Sequence, residues 1–134
     1  MKVLFVCKAN IGRSQMAEAF FNKISKKNKA ASGGTNATRE GKKLEMHPLV
    51  IKCMLESGID LRKNKPKKIT LKMVKESVIV VIMDNTGDFP DYINKAKKII
   101  YWNIENPKET NLDFHRKTRD EIRKKVEELV NEIG

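Results

Sequence analysis

An α/β fold, three layers built on a central, mostly parallel four-stranded sheet, is the architecture this sequence predicts. Residues 2–7 (KVLFVC) and 78–83 (VIVVIM) are continuous apolar runs, the composition of strands covered on both faces of a parallel sheet. Between and after them the apolar residues fall at helical spacing. Strand-like and helix-like segments alternate over 134 residues without an internal repeat or an obvious linker, so one domain spanning 1–134 is expected.

The elements follow in order. The first strand ends at Cys7, and from Ser14 the residues Ala17, Phe20, Phe21 and Ile24 recur on one helical face. KKNK ends that helix, and KAASGG provides a short second strand before a loop. HPLVIKCMLESG reads as a helix with Pro48 near its start and Gly58 just past its end. In the basic, mixed stretch that follows, Thr70 is placed to cap a short helix carrying Leu71 and Val74. VIVVIM stops at DNTGD, where Asp, Asn and Gly signal a turn, and KKIIYW at 97–102 is the remaining strand. Phe114, Thr118, Ile122, Val126, Val130 and Ile133 then mark a long last helix with a charged outer face. In such sheets the functional cleft lies beyond the carboxyl ends of the strands, near which Cys7, Asp84 and Trp102 all fall.

Composition narrows the function classes. The formal charge of +11 draws anions, but many of the lysines come in pairs beside helices, where charge runs are solvated faces. No zinc-finger spacing, RNP-like aromatic pair or aromatic-basic interleaving accompanies them, which argues against nucleic acid as the partner. No apolar run is long enough to cross a bilayer, and the start MKVLFVCKAN reads as a strand rather than a signal peptide. Two cysteines, Cys7 and Cys53, are too few for a disulfide framework and are wrongly spaced for a metal site. A cytoplasmic protein with reduced thiols, needing no metal or cofactor, is expected.

The stretch CKANIGR places five residues between Cys7 and Arg13. A loop of that length can turn several backbone N–H groups inward around a tetrahedral oxyanion, and the helix that follows adds its free N–H groups and positive dipole end. Gly12 permits unusual backbone angles at the helix start, Asn10 can pin the loop from within, and Arg13 can meet two oxygens with its planar fork. The expected phosphate-binding set is therefore Cys7, Lys8, Ala9, Asn10, Ile11, Gly12 and Arg13. Such surroundings stabilise a thiolate and make Cys7 a nucleophile. The chemistry expected is in-line attack on phosphorus, a cysteinyl-phosphate intermediate and then attack by water, with Arg13 and the backbone dipoles neutralising charge in both steps. Ser14 is placed to donate a hydrogen bond to the sulfur as it leaves. Most cysteines after an apolar strand merely pack, and most arginines at helix starts are surface charges; a lone C-x5-R would favour those readings. Strand, glycine-containing loop, Arg-Ser and apolar-periodic helix in succession are far more restrictive, and GxxxxGK[ST] is absent.

FVCKANIGRSQMAEAFF resembles the amino-terminal signature of the low-molecular-weight protein tyrosine phosphatases and of the thioredoxin-coupled arsenate reductases that share their fold. The resemblance extends through SGGT at 32–35, HPLVIKCMLESGIDL at 47–61, VIVVIMDN and WNIENP at 102–107. It implies a cysteine-dependent enzyme without separating the two chemistries. Reductases of this type use further thiols on the segment that here reads VIVVIMDNTGDFPDY, where Met83 and Phe89 cannot form disulfides. Cys53 shares a helix face with Val50 and reads as core, so a full intramolecular thiol relay is excluded while transfer to an external thiol stays open. Many members of both branches carry a cysteine just before the arginine; here Gly12 stands there, leaving an oxidised Cys7 without a partner inside the loop.

The family's general acid comes from an Asp-Pro pair, but this chain has Asn106 before Pro107, and an amide cannot shuttle a proton as a carboxylic acid does. Glu105 is the first candidate replacement, ahead of Asp84 and Asp88, although a solvent-facing loop glutamate is the plainer reading. Lys108 and Glu109 replace the aromatics often found after Asp-Pro; Tyr92, Tyr101 and Trp102 are left to wall the pocket or simply to pack. His47 can approach the site or cap the next helix and receives no role. The expected catalytic set is thus Cys7, Arg13, Ser14 and Glu105 in a protein-tyrosine-phosphatase-like phosphomonoesterase. A phosphate ester is the expected partner, with an acidic phosphotyrosine protein or peptide among the candidates, and the oligomeric state is open. The alternatives are an arsenate reductase using an external thiol and a low-turnover phosphate- or phosphoprotein-binding module.

Overall fold

The computed structural model describes every residue except 1, 39, 45, 46, 84–87 and 134. At its centre is β1 (Lys2–Cys7), buried from Val3 to Cys7. It pairs in parallel with β2 (Lys29–Gly34) on one side and β3 (Ile79–Ile82) on the other, and β3 pairs in parallel with β4 (Ile99–Tyr101). The resulting order, β2-β1-β3-β4, reverses direction at β1, because the chain first steps out to β2 and then crosses back to β3. Loops leaving β1 and β3 at such a reversal part from each other, and the crevice between them is where open α/β sheets bind ligands.

Among the described residues four α-helices accompany the sheet: α1 (Arg13–Ile24), α2 (Pro48–Leu55), α3 (Leu71–Glu76) and α4 (Leu112–Ile133). Alternate strand residues sort them into layers. Val3, Phe5, Cys7, Ile79 and Val81 share one core with Met16, Phe20 and Phe21 of α1, Met54 of α2, and Ile122 and Val126 of α4. Leu4, Val6, Val80 and Ile82 turn the other way, onto Ile69, Val74 of α3 and the 3₁₀ turn Asp91–Lys95. The three-layer expectation describes this arrangement, and the apolar runs lack alternation because both faces are covered.

Local chemistry accounts for the helix ends. Thr70 Oγ1 accepts the Met73 N–H at 3.2 Å, capping α3 as its position suggested. Pro48 begins α2, and Gly58, at φ +77°, turns the chain out of it. The 3₁₀ turn behind Pro90 was not legible in the sequence, whose DFPDYINK lacks a helical apolar stripe. No helix among the described residues is long and apolar enough to cross a membrane.

Candidate active site

The Cys7–Arg13 loop leaves the end of β1 and runs straight into α1. Its first residues stay tied to the chain after β2: Thr35 N–H donates to the Cys7 carbonyl at 3.0 Å and Asn36 N–H to the Lys8 carbonyl at 2.8 Å. Gly34 makes this approach possible, since a Cβ there would stand 2.6 Å from the Lys8 carbonyl oxygen. Asn10, fully buried, takes the left-handed conformation at φ +57°, which an Asn tolerates better than most residues. Its amide nitrogen donates to Ser14 Oγ (2.7 Å) and Ser32 Oγ (2.9 Å), and its Oδ1 accepts from Lys67 N–H (2.9 Å) and Gln15 Nε2 (3.1 Å). The loop is pinned from below, as expected of Asn10.

Ser14 Oγ lies 2.9 Å from the Cys7 sulfur and accepts from Asn10, so its own hydrogen is available to a thiolate at Cys7, whereas a protonated Cys7 can donate to its second lone pair. A thiolate accepts such a bond and a leaving sulfur is helped by it. At the helix start Met16 N–H is the first to bond back, to Gly12 O at 2.9 Å, so the N–H groups of Arg13, Ser14 and Gln15 have no helical acceptor.

Arg13 is 5% exposed, yet no carboxylate among the described residues pairs with it. Its Nη1 donates instead to the carbonyls of Met83 (2.6 Å) and Ile104 (3.0 Å), just past β3 and β4. The chain just past two strands thus holds one guanidinium, unpaired with any carboxylate among the described residues, while Nη2 and Nε remain for an anion.

A cavity of about 470 Å³ opens over this loop, lined by Cys7, Ala9, Ile11, Gly12 and Arg13. Its other walls come from the start of α2, with His47 and Val50, and from 106–110 with His115 of α4. Of the expected phosphate-binding residues, Lys8 is exposed at the surface and Asn10 is turned inward, so neither borders the cavity. Asn106 does border it, whereas Glu105 lines a separate cavity of about 210 Å³ against Phe114, Lys117 and Glu121 of α4. Asp88 is exposed away from the Cys7 cavity, and Asp84 lies outside the described residues. The aromatics considered for the wall are elsewhere: Tyr92 donates to Ile69 O at 2.8 Å, Trp102 packs on Phe5, and Tyr101 is 69% exposed. Aliphatic side chains of Ile11, Pro48 and Val50 take their place.

Cys53 is fully buried and its thiol donates to Val50 O at 3.3 Å; burial pushes it up to about 11. His115 was not singled out by sequence reasoning, and Glu109 only as a replacement for an aromatic, although both line the Cys7 cavity. One signal was available: His115 lies a few residues past the Asn-Pro pair, in the first turn of the helix that follows.

The whole-chain comparisons agree with this geometry. Residues 2–134 match the family described as low molecular weight phosphotyrosine protein phosphatase. A Synechocystis glutaredoxin arsenate reductase is 30% identical, the alignment covering 99% of this chain and 98% of that one. Among solved structures, an arsenate reductase in a phosphate-binding state superimposes with a TM-score of 0.85 at 30% identity, over 99% of this chain and 98% of its own. A low molecular weight protein tyrosine phosphatase from T. tengcongensis does so at 0.84 and 26% identity, over 98% and 99%. The chain therefore belongs to the low molecular weight phosphotyrosine protein phosphatase family, as an enzyme of the phosphatase and arsenate-reductase type that works through a catalytic cysteine.

Proposed function

We propose that this protein is a phosphomonoesterase of the protein-tyrosine-phosphatase kind, working through a cysteinyl-phosphate intermediate. The observation that carries the reading is the set Cys7, Ser14 and Arg13: a sulfur 2.9 Å from a serine hydroxyl, beside a buried guanidinium with no carboxylate partner among the described residues. Phosphate binds to the loop N–H groups and to Nη2 and Nε of Arg13, and Cys7 attacks in line while Arg13 balances the equatorial charge. Ser14 stabilises the sulfur when water displaces it. The thiols support hydrolysis over an internal redox relay, because Cys53, the chain's other cysteine, is buried and bonded to its own helix. The strong positive charge favours acidic phosphopeptides among esters.

A second reading is favoured by the 30% identity to the Synechocystis glutaredoxin arsenate reductase: Cys7 attacks arsenate and an external thiol completes the reduction. A paired assay of aryl-phosphate hydrolysis and thiol-dependent arsenate reduction, on wild type and Cys7→Ser, decides between them. Hydrolysis by the wild type that Cys7→Ser abolishes is the expected result; turnover of arsenate alone overturns the phosphatase reading.

A further inference from the structure

We propose that His115, through Nε2, moves the proton that Asn106 cannot, as general acid in ester cleavage and general base in hydrolysis of the cysteinyl phosphate. This rests on the phosphatase reading above. The observation behind it is a buried imidazole whose orientation and tautomer are set from the far side. His115 is 5% exposed and lines the Cys7 cavity together with Asn106. Its Nδ1 lies 2.8 Å from the Asn111 carbonyl oxygen, which can only accept, so Nδ1 carries a proton in every charge state. The Thr110 hydroxyl donates to Pro107 O and offers its lone pair to the same Nδ1–H at 3.2 Å.

Among the described residues the hydrogen bonds of the His115 ring therefore run through Nδ1. Among the described residues every side-chain nitrogen or oxygen shut off from solvent has a hydrogen-bond partner. Nε2, which has none of these contacts, therefore keeps access to solvent, and the Cys7 cavity is an opening that His115 borders. With Nδ1–H fixed, Nε2 is a lone pair in the neutral ring and an N–H donor in the cation, the two forms that a proton shuttle alternates between. Glu109 borders the same cavity but is exposed, and no hydrogen bond or ion pair among the described residues orients its carboxylate. His115 is held in place, and it also anchors the 107–110 turn that carries Asn106's neighbour Pro107 over the site.

The protons balance. As the Cys7 sulfur forms its bond to phosphorus, the ester P–O bond breaks and the departing oxygen takes the Nε2 proton, releasing an alcohol or phenol and leaving neutral imidazole. Water then attacks phosphorus while Nε2 removes its proton; the S–P bond breaks, thiolate returns, phosphate leaves and the imidazolium is restored.

The test is kcat/KM, which reports ester cleavage, across phosphate monoesters whose leaving groups run from acidic phenols to simple alcohols. His115→Asn can keep an N–H where Nδ1 stood, so a merely structural role survives it, while the proton at Nε2 is lost. His115→Gln is measured beside it. Because the slope across substrates is read within one preparation, a misfolded fraction cancels. The expected result is a loss on the order of 10²–10⁴-fold for alcohol esters, much less for the most acidic phenols, and disappearance in both variants of the alkaline limb that deprotonation of the general acid gives the kcat/KM profile. A wild-type slope in His115→Asn overturns the assignment, as does a steepened slope in Glu109→Gln or His47→Gln with His115→Asn unchanged. Failure of the wild type to hydrolyse any ester removes the phosphatase reading itself and the assignment with it.

Discussion

Asn10 uses both donors and both acceptor positions of its amide while its backbone sits at φ +57°. Truncating it strands the Lys67 N–H and the two serine hydroxyls and places an alanine in a left-handed conformation. Asn10→Ala should lower stability by about 2–4 kcal/mol, measured by urea unfolding, and remove most activity with it. Asn10→Asp separates the two effects. Aspartate also tolerates the left-handed backbone and keeps an acceptor, but it cannot donate to Ser14, whose proton then turns from the sulfur to the carboxylate. Its turnover should therefore fall further than its stability, and a variant with unimpaired turnover would show that Ser14's orientation does not matter.

At the scale of elements, β2 illustrates how a strand of small residues serves its neighbours. Gly34 lies opposite Cys7 in the register, and the Lys67–Ile69 segment pairs with it from the other side through Gly34 N–H to Lys67 O (2.8 Å) and Ile69 N–H to Gly34 O (3.1 Å). A Cβ at Gly34 meets backbone of the phosphate loop, 2.6 Å from Lys8 O and 3.0 Å from the Ala9 carbonyl carbon. A Cβ at Gly33 meets the Ile69 Cγ2 methyl at 2.6 Å, with Ile69 backbone at 3.1 Å. Backbone held by a hydrogen-bonded loop yields less readily than a methyl. Both Gly→Ala changes should cost stability, about 1–3 kcal/mol, but Gly34→Ala should in addition displace the loop and lose phosphate affinity, read by titration with inorganic phosphate. Equal affinities in the two variants would contradict this.

Over the whole molecule, α2 and α4 are clamped by charge as well as by the core. Glu56 accepts from Arg116 Nη2 (2.7 Å) and Arg119 Nη1 (2.7 Å), and Arg119 also reaches Cys53 O (2.7 Å). These hydrogen bonds hold the Glu56 carboxyl down at about 2, from an ordinary 4.5. A carboxyl depressed in the folded state contributes stability that is full above the unfolded value and is lost as pH falls through the folded one. Glu56→Gln should accordingly be less stable than wild type at neutral pH, with the difference closing between about pH 4.5 and about pH 2. Denaturation curves that stay equally separated down to pH 2 would dismiss the clamp. Glu18 has the opposite sign, since burial pushes its carboxyl up despite Lys67 at 3.8 Å, so the comparison needs Glu56→Gln rather than the wild-type profile alone.

Local pattern sufficed for the strands and helices, because a buried parallel strand must be apolar throughout and a covered helix must repeat its apolar residues every three to four positions. It also sufficed to gather Cys7, Asn10, Arg13 and Ser14, since all four lie on one short stretch whose ends are a strand and a helix. Residues from distant stretches were a different matter. Whether a residue of 105–115 faces the thiol depends on how that segment leaves β4 and enters α4, and neighbours in sequence part company there: Asn106 borders the Cys7 cavity, while Glu105 turns to α4. A side chain's direction in an irregular turn follows from backbone angles and tertiary hydrogen bonds that no periodicity encodes. The sequence by itself determined the fold and the nucleophile's loop. Only the tertiary structure decided that the carbonyls of Met83 and Ile104 hold Arg13 and that His115 borders the Cys7 cavity, because both depend on packing between elements some seventy or more residues apart.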